Sequence, residues 1–124
     1  MTPSDAELDI LRVIWANEPI SVREVHEAIS AQKDVGYTTT LKQMQRMVEK
    51  GLVQRTGSGK KHSYQAIIRE NEVQTSLFDR LKNAAFKGSA IDLALHALGQ
   101  SQPTEDELTQ LEEWLQQKRN QQDS

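Results

Sequence analysis

Apolar residues in the first fifty positions recur every three or four residues, the spacing of amphipathic helices. The pattern predicts a first helix over about residues 5–16 and a second from residue 22 to 30 or 32. A third is predicted from about residue 38 to 50, with Gly51 as the residue after its end. Three short helices in this order are typical of a helix-turn-helix domain.

The pattern then changes from helical to extended. Short strands are predicted over residues 52–56 and 63–67, joined by Gly57-Ser58-Gly59, whose glycines permit the positive φ angles of a tight hairpin. Beyond residue 68, amphipathic stretches predict helices over about 70–86, 90–98 and 104 to 117 or 119. The sequence therefore predicts a mainly α fold with a small β-hairpin. A winged helix-turn-helix domain over residues 1–68 precedes a helical region over 69–124.

Helix starts are marked by a hydroxyl residue three positions before an acidic residue. In this capping box the two side chains satisfy each other's unpaired backbone N–H groups. Each match precedes a periodic apolar stretch, which strengthens the helix assignments. The matches are Ser4 with Glu7, Ser21 with Glu24 and Thr104 with Glu107, and Ser89 with Asp92 is a weaker one.

Charge is distributed unevenly. The chain carries a net charge of −3, yet residues 36–67 carry +5, while residues 1–35 and 68–124 carry −4 each. A protein that coats nucleic acid without selectivity would be basic throughout. One basic window on an acidic chain indicates a localised DNA-binding surface.

The third helix carries a polar, basic face opposite its predicted core positions Leu41, Met44, Met47 and Val48. Lys42 and Arg46 lie four residues apart, where like charges slightly destabilise a free helix and phosphates would convert that repulsion into attraction. The structural alternatives are a solvated helix face and a basic surface hairpin. We expect DNA contact from this helix face and from the predicted β-hairpin over residues 52–67, which is called the wing. The residues expected to make it are Thr38, Thr39, Lys42, Gln45, Arg46, Arg55, Lys60 and Lys61.

The three helices beyond residue 68 are thin and amphipathic, so they cannot enclose a core of useful size alone. Their apolar faces require another surface, and a second copy of the chain is the simplest supplier. The sequence therefore predicts a homodimer held by Leu77, Leu81, Leu95, Leu108, Leu111, Trp114 and Leu115.

Other site classes find little support in the sequence. The chain has no cysteine, which excludes disulfides and thiolate metal sites within it. His26, His62 and His96 lack metal-ligand spacing and are predicted to be structural, and no cofactor or catalytic residue is expected. The segment before Lys60 lacks the first glycine of a phosphate-binding loop. No signal peptide or membrane span is predicted, so a cytoplasmic location is expected.

Several motifs together resemble the BlaI/MecI family of penicillinase repressors: Trp15, Val22-x-x-Val25, Tyr37-Thr-Thr-x-Leu41, Gln45-Arg-Met-Val-Glu-Lys-Gly-Leu-Val53 and Tyr64-x-Ala66. The resemblance extends over the whole chain. It implies a homodimeric repressor whose winged helices bind a palindromic operator in double-stranded DNA and whose C-terminal helices interlock.

The chain departs from that family at its signal-receiving elements. In β-lactam-responsive members an upstream membrane sensor triggers cleavage of an Asn-Phe bond, and His96-Ala97 aligns there. Copper-responsive relatives carry a C-terminal cysteine cluster, which this chain lacks. The resemblance therefore implies DNA binding without identifying the sensor, the protease or the inducer. The alternative from another functional class is a winged-helix adaptor that binds only proteins.

Overall fold

The computed structural model describes residues 2–57 and 62–123. They form two compact units, Met1–Asp79 and Arg80–Ser124. The elements in chain order are α1 (Asp5–Asn17), α2 (Val22–Ser30), α3 (Tyr37–Glu49), β1 (Val53–Thr56), β2 (Ser63–Ala66), α4 (Glu70–Ala85), α5 (Ala90–Gln100) and α6 (Glu105–Gln122). The predicted fold class, mainly α with one hairpin, is confirmed.

The first unit has one apolar core, to which its first three helices and its hairpin all contribute. At the edge of this core, the Trp15 indole donates from Nε1 to the carbonyl of Ile68 at 3.0 Å. This bond ties the end of α1 to the segment that leaves β2. The buried apolar residues of this core are Ile10, Leu11, Ile14, Ile20, Val25, Met44, Met47, Leu52, Val53, Tyr64 and Ala66.

β1 and β2 pair antiparallel, and a third segment extends their sheet. Val53 lies opposite Ala66, and Arg55 lies opposite Tyr64. Ile20, in the α1–α2 connection, bridges to the outer edge of β2: its N–H donates to the Tyr64 carbonyl at 3.1 Å and its carbonyl accepts from Tyr64 at 2.8 Å. The sequence did not indicate this third pairing, because a single residue carries no strand pattern.

The predicted helix ends are mostly confirmed. Complete capping boxes start α1 at Ser4 and α6 at Thr104, and Gly51 follows α3 with a φ of 79°. The start of α2 differs: Ser21 accepts from the Glu24 N–H, but the Glu24 carboxylate takes the Ser21 hydroxyl instead of a backbone donor. Only half of that capping box therefore forms.

α3 is rotated slightly from its predicted orientation. Thr40 is buried together with Met44 and Met47, whereas Val48, predicted to point inward, is 37% exposed. At about 100° per residue, Thr40, Met44 and Met47 fall within an arc of about 60°, and Val48 lies outside it. The core thus selects the 40/44/47 stripe, and the prediction for Val48 is wrong.

The second unit is built differently from the first. Among its described residues, 80–123, none is buried. Large apolar side chains on its helices are exposed, including Ile91 (67%), Leu95 (63%) and Trp114 (53%). Among the described residues, no helix combines the length and apolar character needed to cross a membrane.

Candidate nucleic-acid interface

The outward face of α3 is polar and fully available. Because the buried stripe of Thr40, Met44 and Met47 fixes which side of α3 faces the core, the opposite side faces solvent. The five residues predicted to contact DNA lie on that side within an arc of about 120°, which also contains the exposed Glu49 at the end of the helix. The structure brings them together as one exposed surface: Thr38, Thr39, Lys42, Gln45 and Arg46.

An ion pair holds the C-terminal end of α3 to the start of α1. Nζ of Lys50 lies 2.8 Å from Oε2 of Glu7, a carboxylate that is only 3% exposed. Oε1 of the same carboxylate accepts from the Ser4 N–H at 2.9 Å. Burial alone would raise the pKa of Glu7, but the Lys50 hydrogen bond, the Ser4 hydrogen bonds and the Lys50 charge outweigh it and hold the pKa below its usual range.

The Glu7–Lys50 pair reduces the positive charge that residues 36–67 can offer to DNA. Lys50 contributed to the positive charge of residues 36–67, but its charge is largely neutralised by Glu7. Within the described part of the chain, no ion pair involves Lys42, Arg46 or Arg55. The structure therefore separates one cation that stabilises the fold from three whose charge remains available to a polyanion.

Arg55 lies on the face of the hairpin that packs against the core. Its register opposite Tyr64 puts it on the hairpin face that carries Val53 and Ala66, which are buried. Arg55 lies nearer the turn and is exposed. Gly57, which follows β1, has a φ of 94°, a conformation that glycine adopts without strain. Lys60 and Lys61, the other predicted wing contacts, lie outside the described residues.

One histidine joins the two helices of the helix-turn-helix, a contact that sequence reasoning missed. Nδ1 of His26, on α2, lies 3.1 Å from the Thr40 hydroxyl, and its ring meets the Tyr37 ring edge-on with centroids 5.5 Å apart. The only signal in the sequence is a hydroxyl residue inside the apolar stripe of α3. Among the described residues, no cluster of histidine and acidic residues could hold a metal ion.

The residues predicted to mediate dimerisation lie on exposed or half-buried surface. Leu77 and Leu111 are half-buried. Within the second unit, a groove of about 560 Å³ is lined by Leu98, Leu111 and Trp114 together with polar residues. The remaining residues predicted to mediate dimerisation are exposed: Leu81 (49%), Leu95 (63%), Leu108 (39%), Trp114 (53%) and Leu115 (46%).

Relatives of the chain include several named regulators. It is 34% identical to the transcriptional regulator BlaI of Mycobacterium tuberculosis, over 74% of this chain and 68% of that protein. It is 25% identical to the methicillin resistance regulatory protein MecI of Staphylococcus aureus, over 93% of this chain and 94% of the relative. The penicillinase repressor of Bacillus licheniformis is also 25% identical, over 94% of this chain and 91% of its own length.

Solved structures resemble part of the chain. The solution structure of the DNA-binding domain of the repressor BlaI superposes with a TM-score of 0.51 at 28% identity, covering 58% of this chain and 93% of that domain. The Bacillus licheniformis BlaI monomeric form in complex with the blaP half-operator matches with the same score and identity, covering 88% of that chain. The sequence profile of the penicillinase repressor matches residues 3–117. The chain belongs to the penicillinase repressor family.

Proposed function

We propose that this chain is a homodimeric transcriptional repressor that binds a palindromic operator through α3 and the wing. The observation that carries the proposal is the division of α3 into two faces. Thr40, Met44 and Met47 are buried, and the opposite side presents only polar or basic side chains at the positions expected to contact DNA. A helix fixed in this way can enter the major groove with its core face still packed.

The chemistry of the exposed face suits DNA. An arginine can donate two hydrogen bonds to a guanine edge, and glutamine can bond an adenine edge in the same bidentate way. Arg46 and Gln45 are therefore the residues proposed to contact bases. Thr38 and Thr39, in the first turn, can donate to phosphates or contact a thymine methyl group.

The distribution of ion pairs supports the same surface. Lys33 and Arg12 pair with Asp9, and Arg69 pairs with Glu18. These cations stabilise the first unit and are not needed for the proposal. Lys42, Arg46 and Arg55 have no ion-pair partner within the described residues, so phosphates would not have to compete with a carboxylate for them.

Dimerisation is proposed to occur through the helices beyond residue 68. Exposed leucines and a tryptophan on helices without a buried core leave a large apolar surface in contact with water. Burial of such surface against a second copy contributes about 25 cal/mol per Å². A two-fold dimer would present two α3 helices to two half-sites, which is the geometric reason to propose a palindromic operator.

Footprinting of the purified protein on duplex DNA flanking its own gene tests the proposal. We expect a protected segment with two-fold symmetry, bound as a dimer, with an affinity that falls steeply with salt. Each neutralised phosphate contributes about 0.9 to the negative slope of log affinity against log salt. The combined Lys42→Ala and Arg46→Ala variant should lose the footprint. No salt-dependent binding to any duplex, together with capture of a protein by the same face, would instead support the adaptor function.

A further inference from the structure

We infer that His26 is a positioning residue for operator discrimination, because it fixes the rotation of the recognition helix α3 through Thr40 and Tyr37. This inference rests on the proposed DNA-binding function. His26 lies on α2 and is half-buried, and its hydrogen bond to Thr40 and its ring contact with Tyr37 both reach the first turn of α3. It is therefore the polar link between the two helices at the end where α3 begins.

The start of α3 lacks the side-chain N-cap hydrogen bond that stabilises other helix starts in this chain. Its N-cap is Gly36, which has no side chain to accept a hydrogen bond from the first turn. α1, α2, α5 and α6 each begin with a serine or threonine whose hydroxyl accepts such a bond. The first turn of α3 must therefore be held from outside the helix, and His26 is placed to do so.

The contact to Thr40 has a physical cause. Thr40 is 2% exposed, and a buried hydroxyl without a hydrogen-bond partner destabilises the fold. Nδ1 of His26 supplies that partner at 3.1 Å, with the donor set by the imidazole tautomer. An apolar side chain at position 40 would pack without this requirement. The threonine thus makes the position of α3 depend on that of α2.

The contact between His26 and Tyr37 prevents the first turn of α3 from rotating about the His26–Thr40 hydrogen bond. Tyr37 precedes Thr40 by three residues, so the two side chains leave the helix axis about 60° apart. The edge-on ring contact, with an interplanar angle of 86° and a centroid distance of 5.5 Å, is a favoured aromatic geometry. Two contacts on one imidazole at different angles around the axis fix the rotation of the first turn.

Small rotations of α3 matter for base recognition. Side chains reach about 5–6 Å from a helix axis, so a rotation of about 10° moves their tips by about 1 Å. A shift of that size exceeds the tolerance of about 0.5 Å for productive site geometry. Lys50 and Glu7 hold the other end of α3, so loss of the His26 contacts would free the turn that carries Thr38 and Thr39. The contacts of this turn with thymine methyl groups, which depend on its position, would weaken, while the attraction of the exposed cations to phosphates would persist.

Full-length variants test the inference by comparing affinity for the footprinted duplex with affinity for a scrambled duplex of the same length. His26→Phe keeps a ring for Tyr37 but removes the hydrogen bond, and Thr40→Val removes the hydroxyl. Each should lower the affinity for the footprinted duplex about fivefold relative to the scrambled one. Both substitutions remove the same His26–Thr40 hydrogen bond. The double variant should therefore distinguish the two duplexes no less well than the poorer of the two single variants.

Conservative variants separate positioning from loss of folding. Thr40→Ser keeps the hydroxyl that contacts Nδ1 of His26, so it should discriminate better than Thr40→Val. Thr109→Val removes a hydroxyl that bonds a helix carbonyl in α6, and should leave discrimination unchanged. The thermal midpoints of all variants show whether a loss of discrimination between the duplexes merely follows a loss of folding stability.

The outcome that overturns the inference is an equal loss on both duplexes, or additive losses from His26→Phe and Thr40→Val. Lys42→Ala and Arg46→Ala measured in parallel distinguish the two proposals. If they weaken binding and His26→Phe does not alter discrimination, the positioning role is wrong and DNA binding stands. If neither they nor the His26 variants affect binding to either duplex, the proposed function itself fails.

Discussion

Glu7 and Lys50, separated by 43 positions in sequence, form an ion pair of 2.8 Å that joins the first turn of α1 to the C-cap of α3. The Glu7 side chain is almost completely buried, while the Lys50 side chain is about half exposed. The same carboxylate also completes the capping box of Ser4. One side chain therefore both starts a helix and anchors the helix proposed to contact DNA.

Replacement of Glu7 by glutamine should destabilise the first unit by about 2 kcal/mol, measured by urea unfolding followed by circular dichroism. The variant keeps the shape of the side chain but leaves Lys50 without its counter-ion. The cost stays below that of a fully buried pair because Lys50 can regain water. Glu112→Gln, an exposed position on α6, is the control and should change stability by less than about 0.5 kcal/mol. Equal effects would contradict the structural role of the pair.

Stability should fall on acidification. The pKa of Glu7 is lowered as described above, that of Asp9 by hydrogen bonds from Lys33 and Arg12, and that of Glu18 by bonds from Arg69 and the Ala66 N–H. A carboxyl whose folded-state pKa is depressed stabilises the fold above its unfolded pKa of about 4. That contribution is lost as the pH falls through the lower folded-state value. Thermal midpoints between pH 7 and pH 3 measure it, and Glu7→Gln should flatten the decline.

Arg46→Ala and Arg55→Ala should weaken DNA binding in different ways. A base-contacting arginine costs about 1–3 kcal/mol on the operator and relaxes its sequence preference. A phosphate-contacting wing residue lowers affinity evenly across sequences and reduces the salt slope by about one. Arg12→Ala, which removes the same charge from a residue paired with Asp9, is the control. Titrations on operator and scrambled duplexes at several salt concentrations measure both effects, and identical profiles for Arg46 and Arg55 would count against our placement of α3.

A charge within the exposed apolar face of the second unit should dissociate the proposed dimer. Leu95, 63% exposed, shares one side of α5 with Ile91 and Leu98. Burying a glutamate there without a partner is unfavourable, so Leu95→Glu should sediment as a monomer. It should bind the operator more weakly, since two linked half-sites bind together with higher avidity than one. Ala97→Glu, on the other side of α5, should remain dimeric. A dimeric Leu95→Glu variant would place the interface elsewhere.

Local periodicity determined most of the secondary structure. The apolar spacing and the capping residues set the helix starts, and Gly51 and Gly57 adopt the positive φ angles that their positions require. The exposure of Lys42 and Arg46 also followed from sequence, because a helix with one apolar stripe must turn its other side outward. The division of function at residue 68 and the dimer contacts remain predictions from that same pattern.

Only the tertiary structure decided how those elements are held to one another. The Ile20 bridge to Tyr64, the Glu7–Lys50 pair and the His26–Thr40 bond each join residues far apart in sequence. Such contacts depend on how helices pack, and a periodicity of three or four residues carries no information about their partners. Packing also placed Thr40 in the core instead of Val48, because burial of Met44 and Met47 decides which side of α3 faces the core. The sequence by itself determined which side chains α3 can offer to DNA, and the packing of the first unit determined how firmly they are presented.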